Sequence, residues 1–303
     1  MNWDSLANVA FALACAPFLL GVINRTKAVF AGRQGQPLLQ AYYDLWRLLH
    51  KGAVYSKTTS WFFRAGPPVG LAITVLVLFL IPFGRVPAVV SFQGDFIFVV
   101  YLLGLMRMMT VLAALDTGSS FEGMGASREV QFSAIAEVAL VFALSTLAWK
   151  AGTLSISEIF TKVTPDLWRT QGGILSLLGI AILLVFLAEN ARVPIDDPNT
   201  HLELTMIHEV MVLDHSGPDF AMILYSSALK LWILGTFLLE VLLPFQVGNF
   251  WLDHASFIFA MLGLAVLVGI IESSMARLRL IFVPRFLMGA VIFALLAFVL
   301  GLR

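Results

Sequence analysis

Residues 93–115 read QGDFIFVVYLLGLMRMMTVLAAL, a long apolar run with one arginine near its middle. A helix needs roughly 20 mostly apolar residues to cross the hydrocarbon core of a bilayer. Similar runs occur along the rest of the chain, whereas transmembrane strands are only about 9–11 residues long. The chain therefore predicts about eight transmembrane helices rather than a barrel. The other runs lie at roughly 3–23, 67–84, 130–150, 172–190, 219–245, 254–275 and 281–302.

The composition agrees with a membrane-embedded chain. Of the 303 residues, 59% are hydrophobic and 13% are charged, whereas soluble domains have about 25% charged residues. We therefore predict an all-α membrane protein in which residues 1–303 form a single polytopic domain. The first run follows only two residues, without a basic leader. We interpret it as a retained helix rather than a signal peptide.

The positive charges divide unevenly between the two sides of such a bundle. With eight spans, twelve Lys and Arg residues fall in the connections on one side and five on the other. Short cytoplasmic loops carry the excess of Lys and Arg. We therefore expect a multi-pass protein of a prokaryotic cytoplasmic membrane, with both termini on the outer side.

Residues 37–51, PLLQAYYDLWRLLHK, are too short and too polar to span a bilayer. Leucines and Tyr42 form an apolar stripe at helical spacing, and polar residues lie on the other side. This pattern predicts a helix in the cytoplasmic interface, with Trp46 at the depth of the lipid headgroups.

The segment 189–219, ENARVPIDDPNTHLELTMIHEVMVLDHSGPD, holds seven of the chain's 19 acidic residues and three of its 5 histidines. Histidine changes charge near neutral pH, and acidic groups are costly in a membrane. We interpret the segment as an acidic cytoplasmic loop that handles protons or another cation, with a short interfacial or re-entrant helix at about 200–212. His201, His208 and His215 would share a stripe if that helix continued through all three. Metal pairs favour spacings of about three to five, so we favour proton exchange or a subunit contact there.

Ionisable residues also interrupt the apolar runs themselves. Arg107 lies near the middle of its run, where arginine costs roughly 3 kcal/mol on insertion scales, so it must face protein or water. Two roles are possible for Arg107: it pairs with a neighbouring helix and serves packing, or it takes part in an ion path. Burial moves the pKa values of carboxylates and ammonium groups towards neutrality, so Glu137, Lys230 and Glu272 suit a proton relay. Glu240, nearer the outer end of its run, fits a lipid-facing or loop-proximal carboxylate.

The sequence lacks the motifs of cofactor-binding chains. It contains no GxGxxG motif, no phosphate-binding P-loop and no CxxC. Its single cysteine, Cys15, cannot by itself hold an iron–sulfur cluster. We predict that this chain binds no redox cofactor, metal or nucleic acid.

Three motifs carry a family resemblance. Residues 189–196, ENARVPID, are similar to a pattern E-x-N-R-x-P-F-D, with Ala191 and Ile195 at its Asn and Phe positions. Residues 125–128, GASR, precede Glu137 as in a pattern G-A-x-R followed by Glu. Residues 39–47 match L-Q-x-x-x-D-x-x-K with Arg in the last position. The chain resembles membrane subunit 1 of respiratory complex I, and more closely its counterpart in formate hydrogenlyases and energy-converting nickel–iron hydrogenases. His201 stands where quinone-dependent members usually have an acid, which favours the hydrogenase branch.

The resemblance implies eight transmembrane helices and partners on two sides. The acidic loop would face peripheral hydrogenase-like or dehydrogenase-like subunits, and antiporter-like membrane subunits would lie beside the chain in the bilayer. Iron–sulfur clusters and a nickel–iron site, or quinone, would lie in or next to those partners. The residues predicted to meet a partner are Gln40, Asp44, Arg47 and Lys51. Those predicted to couple or translocate ions are Arg107, Arg128, Glu129, Glu137, Glu189, Arg192, Asp196, Asp197, His201, Glu203, Glu209, Lys230 and Glu272.

Our first hypothesis is an anchoring, ion-translocating subunit of a complex I-like redox complex of the hydrogenase type. In it the carboxylates carry protons, Arg192 tunes their pKa values and Lys230 relays. A second hypothesis is the quinone-site subunit of an NADH:quinone oxidoreductase. A stand-alone secondary transporter is a third, although such folds usually show inverted repeats and none is visible. A purely structural anchor is the fourth.

Overall fold

The computed structural model describes residues 3–84, 86–196, 206–244 and 250–302, which form ten α-helices and two short 3-10 turns. The turns are Glu209–Val212 and Leu280–Phe282. The helices are α1 (Trp3–Phe30), α2 (Gln40–Leu49), α3 (Trp61–Leu80), α4 (Asp95–Asp116), α5 (Ser120–Ala151), α6 (Ile156–Thr161), α7 (Pro165–Glu189), α8 (Gly217–Leu242), α9 (Phe250–Ser274) and α10 (Val283–Gly301).

Eight helices in this described part are long and apolar enough to cross a membrane, in the order that the sequence predicts. The predicted all-α membrane fold is therefore confirmed. Three helices extend well beyond their apolar runs, since α1 continues to Phe30, α5 begins at Ser120 and α7 begins at Pro165. The added turns are polar, and backbone hydrogen bonding continues where the apolar pattern stops. The early start of α5 places Glu129 well inside a helix rather than in a loop.

Local signals explain several helix ends. The Ser60 hydroxyl accepts a hydrogen bond from the Phe62 amide at 3.3 Å and caps α3. Asp116, the last residue of α4, accepts from the Ser60 amide at 2.6 Å and so fastens the end of α4 to the start of α3. Thr164 caps α7 in the same way, and Pro165 follows at the first helical position.

The buried helix α8 organises the packing. It contacts α1, α3 and α7, while α3 lies along α4, α1 lies along α9, and α10 packs against α5 and α7. Most of its residues between Ala228 and Val241 are buried, whereas α9 and α10 have the least buried apolar segments of the long helices. An ionisable residue in the middle of α8 therefore lies inside protein rather than against lipid.

The short helix α2 confirms the predicted helix within residues 37–51, and it packs against α1 and α8. The Tyr42 hydroxyl donates to the Ala14 carbonyl in α1. Tyr42, Leu45 and Leu48 are partly covered, while Tyr43 and Trp46 are exposed on the opposite side.

Candidate functional site

The end of α7 directs charged side chains into different parts of the bundle. Glu189 is the last helical residue, and Asn190 and Ala191 leave the helix, with Ala191 at a left-handed φ of 50°. The Arg192 amide bonds the Leu187 carbonyl at 2.9 Å and closes the turn. As a result Glu189 faces α4 and α8, whereas Arg192 faces the end of α9.

Arg107 of α4 lies at the centre of a carboxylate cluster. Its Nη2 is 2.8 Å from Glu189 Oε1, its Nη1 is 3.2 Å from Glu137 Oε2, and its Nε is 3.6 Å from Glu129 Oε1. Glu129 and Glu137 are eight residues apart on α5, slightly more than two turns, so they lie on neighbouring parts of one face. One planar guanidinium therefore interacts with three acids from two helices.

Lys230 of α8 extends the cluster across the bundle. Its Nζ is 3.5 Å from Glu189 Oε2, so this carboxylate lies between Arg107 and Lys230. A small pocket opens beside the group, lined by these three side chains, Glu137 and apolar residues of α4, α5, α7 and α8.

His208 connects the cluster to the acidic loop. Its Nε2 is 3.1 Å from Glu129 Oε2, and its Nδ1 is 3.9 Å from Asp196 Oδ2. Asp196 also accepts from the backbone amides of Ile207 at 3.0 Å and His208 at 3.3 Å, and its Oδ1 is 2.8 Å from Arg277 Nη2. A continuous path of charged groups therefore runs from the loop to α8, through Arg277, Asp196, His208, Glu129, Arg107, Glu189 and Lys230.

The loop groups have shifted pKa values with clear causes. Burial acts to lower the pKa of His208, but Glu129 and Asp196 outweigh it and raise the pKa above the ordinary value. Burial acts to raise the pKa of Asp196, but His208, Arg277 and the Ile207 amide bring it below the ordinary value. His208 and Asp196 therefore each favour the charged form of the other.

Arg192 pairs with a carboxylate at the end of α9. Its Nη1 is 3.2 Å from Glu272 Oε1, and Lys27 Nζ is 2.8 Å from Glu272 Oε2. The Glu272 side chain is fully buried between these two cations. The Arg192 side chain thus pairs with Glu272, whereas Glu189 pairs with Arg107 and Lys230, and Asp196 pairs with Arg277.

The remaining predicted residues are spread around the loop and α2. Arg128 donates to the Met206 carbonyl at 2.9 Å, and Glu209 is half-buried in a 3-10 turn. Gln40 donates to Asp44 at 2.8 Å on α2, and Arg47 and Lys51 are exposed near its end. Asp197, His201 and Glu203 lie outside the described residues.

Two alternatives left open by the sequence can be compared with the described residues. In the described part of 200–212 only a 3-10 turn forms, and His208 and His215 do not share a helix. His215 instead stacks on Phe63 at a centroid distance of 4.0 Å, and burial lowers its pKa to about 4. Of the two alternatives for Glu240, the structure agrees with the loop-proximal one, because Glu240 is buried and accepts from the amide of Gly84, in the segment after α3, at 3.0 Å.

His208, Arg277 and Lys27 belong to the ion-pair network but were not among the predicted coupling residues. His208 had a signal in the sequence, since it lies in the acid-rich segment seven residues from His201. Arg277 follows Glu272 closely, yet only the packing of the chain after α9 brings it to Asp196; there the Leu278 amide bonds the Pro194 carbonyl at 2.8 Å.

Comparisons with known proteins agree with the fold. The chain is 29% identical over 293 residues to formate hydrogenlyase subunit 4 of Escherichia coli (strain K12), covering 94% of both chains. It is 27% identical over 241 residues to hydrogenase-4 component C of the same organism, covering 80% of this chain and 75% of that one. Its fold matches a chain of the membrane-bound sulfane sulfur reductase, an archaeal respiratory membrane complex, with a TM-score of 0.82, 21% identity and 98% coverage of each chain.

The relatives are thus subunits of hydrogenase or respiratory membrane complexes. The sequence model of one family, NADH dehydrogenase, matches residues 5–302, which is nearly the whole chain. The resemblance seen in the three sequence motifs is confirmed. This multi-pass membrane chain belongs to the NADH dehydrogenase family, as a membrane subunit of the complex I subunit 1 type.

Proposed function

We propose that this chain anchors a complex I-like redox complex of the hydrogenase type in the membrane and moves ions, most simply protons, in response to electron transfer in a peripheral arm. The relatives named as formate hydrogenlyase and hydrogenase-4 subunits support the hydrogenase type. They do not favour the quinone-site or stand-alone transporter hypotheses.

The observation that carries the proposal is the path of charged groups between Asp196 and Lys230. Neighbouring members of the path are within 4 Å of one another, so a proton or charge added at one member changes the ionisation of the next. Asp196 and His208 lie outside the spans, whereas Arg107 and Lys230 lie within them. A change in charge at the loop can therefore be passed electrostatically into the membrane-spanning part.

The proposed redox cofactors belong to partner subunits. A cysteine-ligated iron–sulfur cluster takes four thiolates, and this chain has one cysteine, Cys15, in the first span. Peripheral subunits with iron–sulfur clusters and a nickel–iron site would adjoin the acidic loop, and antiporter-like subunits would adjoin the spans. The contribution of this chain is to hold and transmit charge next to them.

The proposed orientation follows from the sequence and the eight spans. An even number of crossings puts residues 3 and 302 on one side of the bilayer and the acidic loop on the other. The excess of Lys and Arg on the loop side makes that side cytoplasmic.

The decisive experiment measures ion movement per turnover in membrane vesicles containing the whole complex. Glu189→Gln removes the charge between Arg107 and Lys230 while keeping the shape of the side chain, so we expect turnover-driven acidification to be lost or the turnover to stop. We expect the same of Glu137→Gln and Glu203→Gln. Asp166→Asn, in an exposed pair with Arg169, is the matched control and should behave as the wild type. Normal coupled activity in the Glu189 and Glu137 variants would refute the proposal.

A further inference from the structure

Glu137 differs from the other acids around Arg107 in its exposure. The Glu137 side chain is 36% exposed, compared with 6% for Glu129 and 9% for Glu189. It lies on the outward stripe of α5, between the exposed residues Val130 and Val141. The stripe is otherwise apolar near Glu137, so its carboxylate is partly exposed on the outer, apolar surface of the bundle.

The neighbouring surface of α4 forms the other wall of a groove. Tyr101 and Met108 are 70% and 50% exposed on its outward stripe. Gly104 lies between them, and a methyl group there would be 3.9 Å from Glu137 Oε2. The absence of a side chain at Gly104 therefore leaves room in front of the Glu137 carboxylate.

Charge and solvation both disfavour lipid as the occupant of this groove. A carboxyl group facing hydrocarbon has no hydrogen-bond partner there, which is costly whether it is charged or neutral. The hydrogen-bond partner of Glu137 is Arg107, whose guanidinium also serves Glu129 and Glu189. Glu189 also pairs with Lys230 and Glu129 also pairs with His208, whereas among the described residues Arg107 is the one cation within 4 Å of Glu137. The position beside Glu137 is therefore the one open to a further hydrogen-bond donor or cation.

We propose that the groove between α4 and α5 is the docking surface for a transmembrane helix of a second membrane subunit. That helix places a side chain able to donate a hydrogen bond or a positive charge against Glu137. The inference rests on the proposed function in assuming that the chain works inside a multi-subunit membrane complex. A second copy of this chain is a poor occupant, because the pairing would bring one Glu137 towards another.

Photo-crosslinking in membranes that hold the whole complex tests the occupant. A benzophenone amino acid replaces Met108 or Val141 on the groove, or Ile292 on the exposed face of α10 as the control. We expect both groove positions to capture the same transmembrane segment of one other subunit, with a donor side chain in the captured peptide, and Ile292 not to capture it. Adducts only with lipid or with this chain, or a captured segment without a donor, would overturn the inference.

A steric variant gives an independent readout. Gly104→Leu fills the groove without changing a charge, and Gly289→Leu adds the same side chain to α10 at a position with no neighbour within 4 Å. We expect the first variant to lose co-purification of the crosslinked subunit and the second to retain it. Retention by both would count against the docking surface.

The two proposals can fail separately. If the crosslinks form but Glu189→Gln and Glu137→Gln both show normal coupled ion movement, the proposed function fails and the docking surface stands. If the crosslinks are absent but Glu189→Gln and Glu137→Gln lose coupling, the docking surface fails and the proposed function stands.

Discussion

Arg107 shows how a single residue can hold a transmembrane cluster together. Its three guanidinium nitrogens face three carboxylates, and the side chain is 14% exposed, so little water is available to replace a lost partner. Without this guanidinium, Glu129, Glu137 and Glu189 would be left as like charges close together in a medium that screens them poorly. The residue therefore has a structural effect that any role in ion movement depends on.

We expect Arg107→Ala to destabilise the protein by about 3–5 kcal/mol, the usual cost of removing one partner from a buried ion pair. Arg169→Ala breaks an ion pair whose side chains are 82% and 86% exposed, and such surface pairs contribute only about 0–1 kcal/mol. Thermal unfolding of the two purified variants against the wild type checks the difference. Equal shifts of the unfolding temperature in both variants would show that Arg107 does not stabilise the bundle more than an exposed ion pair does.

The two histidines of the loop should respond to pH in opposite directions. The folded pKa of His208 is raised, so its stabilising charge is fully present below about pH 6.5 and is lost as pH rises through the folded pKa. His208 is faced by Glu129, Asp196 and, with the opposite effect, Lys230. The stability deficit of His208→Gln relative to the wild type should therefore be largest at about pH 6 and should narrow by about pH 9.

His215 provides the contrast. Burial lowers its pKa to about 4 despite Asp214 and Asp219 nearby, so folding favours the neutral ring, and stability falls as pH drops from about 6.5 towards 4. The His215→Gln variant should therefore gain on the wild type as the pH falls. Unfolding temperatures across this range check both variants, and parallel curves for the two histidines would contradict the assignment.

At the residue scale the sequence indicates which groups are costly but not which groups pair. Arg107, Glu137 and Lys230 stand out because they interrupt apolar runs. The partner of Arg192 could not be predicted, because that choice depends on the turn at Ala191 and on where α9 ends. Neither feature leaves a periodic pattern, so spacing alone could not separate Glu272 from Asp196 as the partner.

At the scale of elements, the contact between α5 and the segment 206–212 fixes the loop to the bundle. Gly125 lies where that segment crosses α5, and a methyl group there would overlap Val210 and lie 3.0 Å from the Ile207 carbonyl oxygen. The same crossing brings His208 to Glu129, one turn further along α5. A glycine that reads in the sequence as a weak spot in a helix is thus a close approach between two parts of the site.

We expect Gly125→Ala to displace the 206–212 segment and weaken the His208–Glu129 and Asp196 contacts, because the added methyl group would overlap the branched side chain of Val210 and crowd the Ile207 carbonyl oxygen. Gly123→Ala is the control, two residues away on α5 with no neighbour within 4 Å. An added alanine in an open helical position should stabilise by about 0.5–1 kcal/mol. Coupled ion movement and thermal unfolding measured on both variants distinguish them. Normal behaviour of Gly125→Ala would show that the segment is not held at this crossing.

The transmembrane spans could be predicted from the sequence, because residues that cross the lipid must be mostly apolar. The helix ends were harder to predict. The last turns of α1 and the first turns of α5 are polar, and contacts with distant residues hold them in place. In α1, Lys27 pairs with Glu272, and in α5, Glu129 contacts His208 of the 206–212 segment. Those partners lie more than 70 residues away in sequence. The spans could therefore be predicted from the sequence, whereas the site depends on long-range contacts that no local sequence pattern predicts.

At the scale of the whole molecule, the orientation decides which side of the membrane the path of charged groups opens to. Twelve Lys and Arg residues lie in connections on the side of the acidic loop and five on the other. The orientation of a membrane protein follows the number of Lys and Arg residues in the short loops near the spans, not the net charge of those loops. This matters here because the formal net charge of the chain is +0 and gives no orientation.

We expect single cysteines placed in the 189–219 segment, in a Cys15→Ala background, to react with a membrane-impermeant maleimide only after the cells are opened. Cysteines placed in the connection between α5 and α7 should react with intact cells, because that connection lies on the opposite side of the bundle. Leu154 is 45% exposed there and Leu213 is 51% exposed in the loop, so the pair Leu154→Cys and Leu213→Cys is matched in accessibility. Labelling of Leu213→Cys in intact cells would place the acidic loop outside, and the peripheral redox arm could then not dock on it from the cytoplasm.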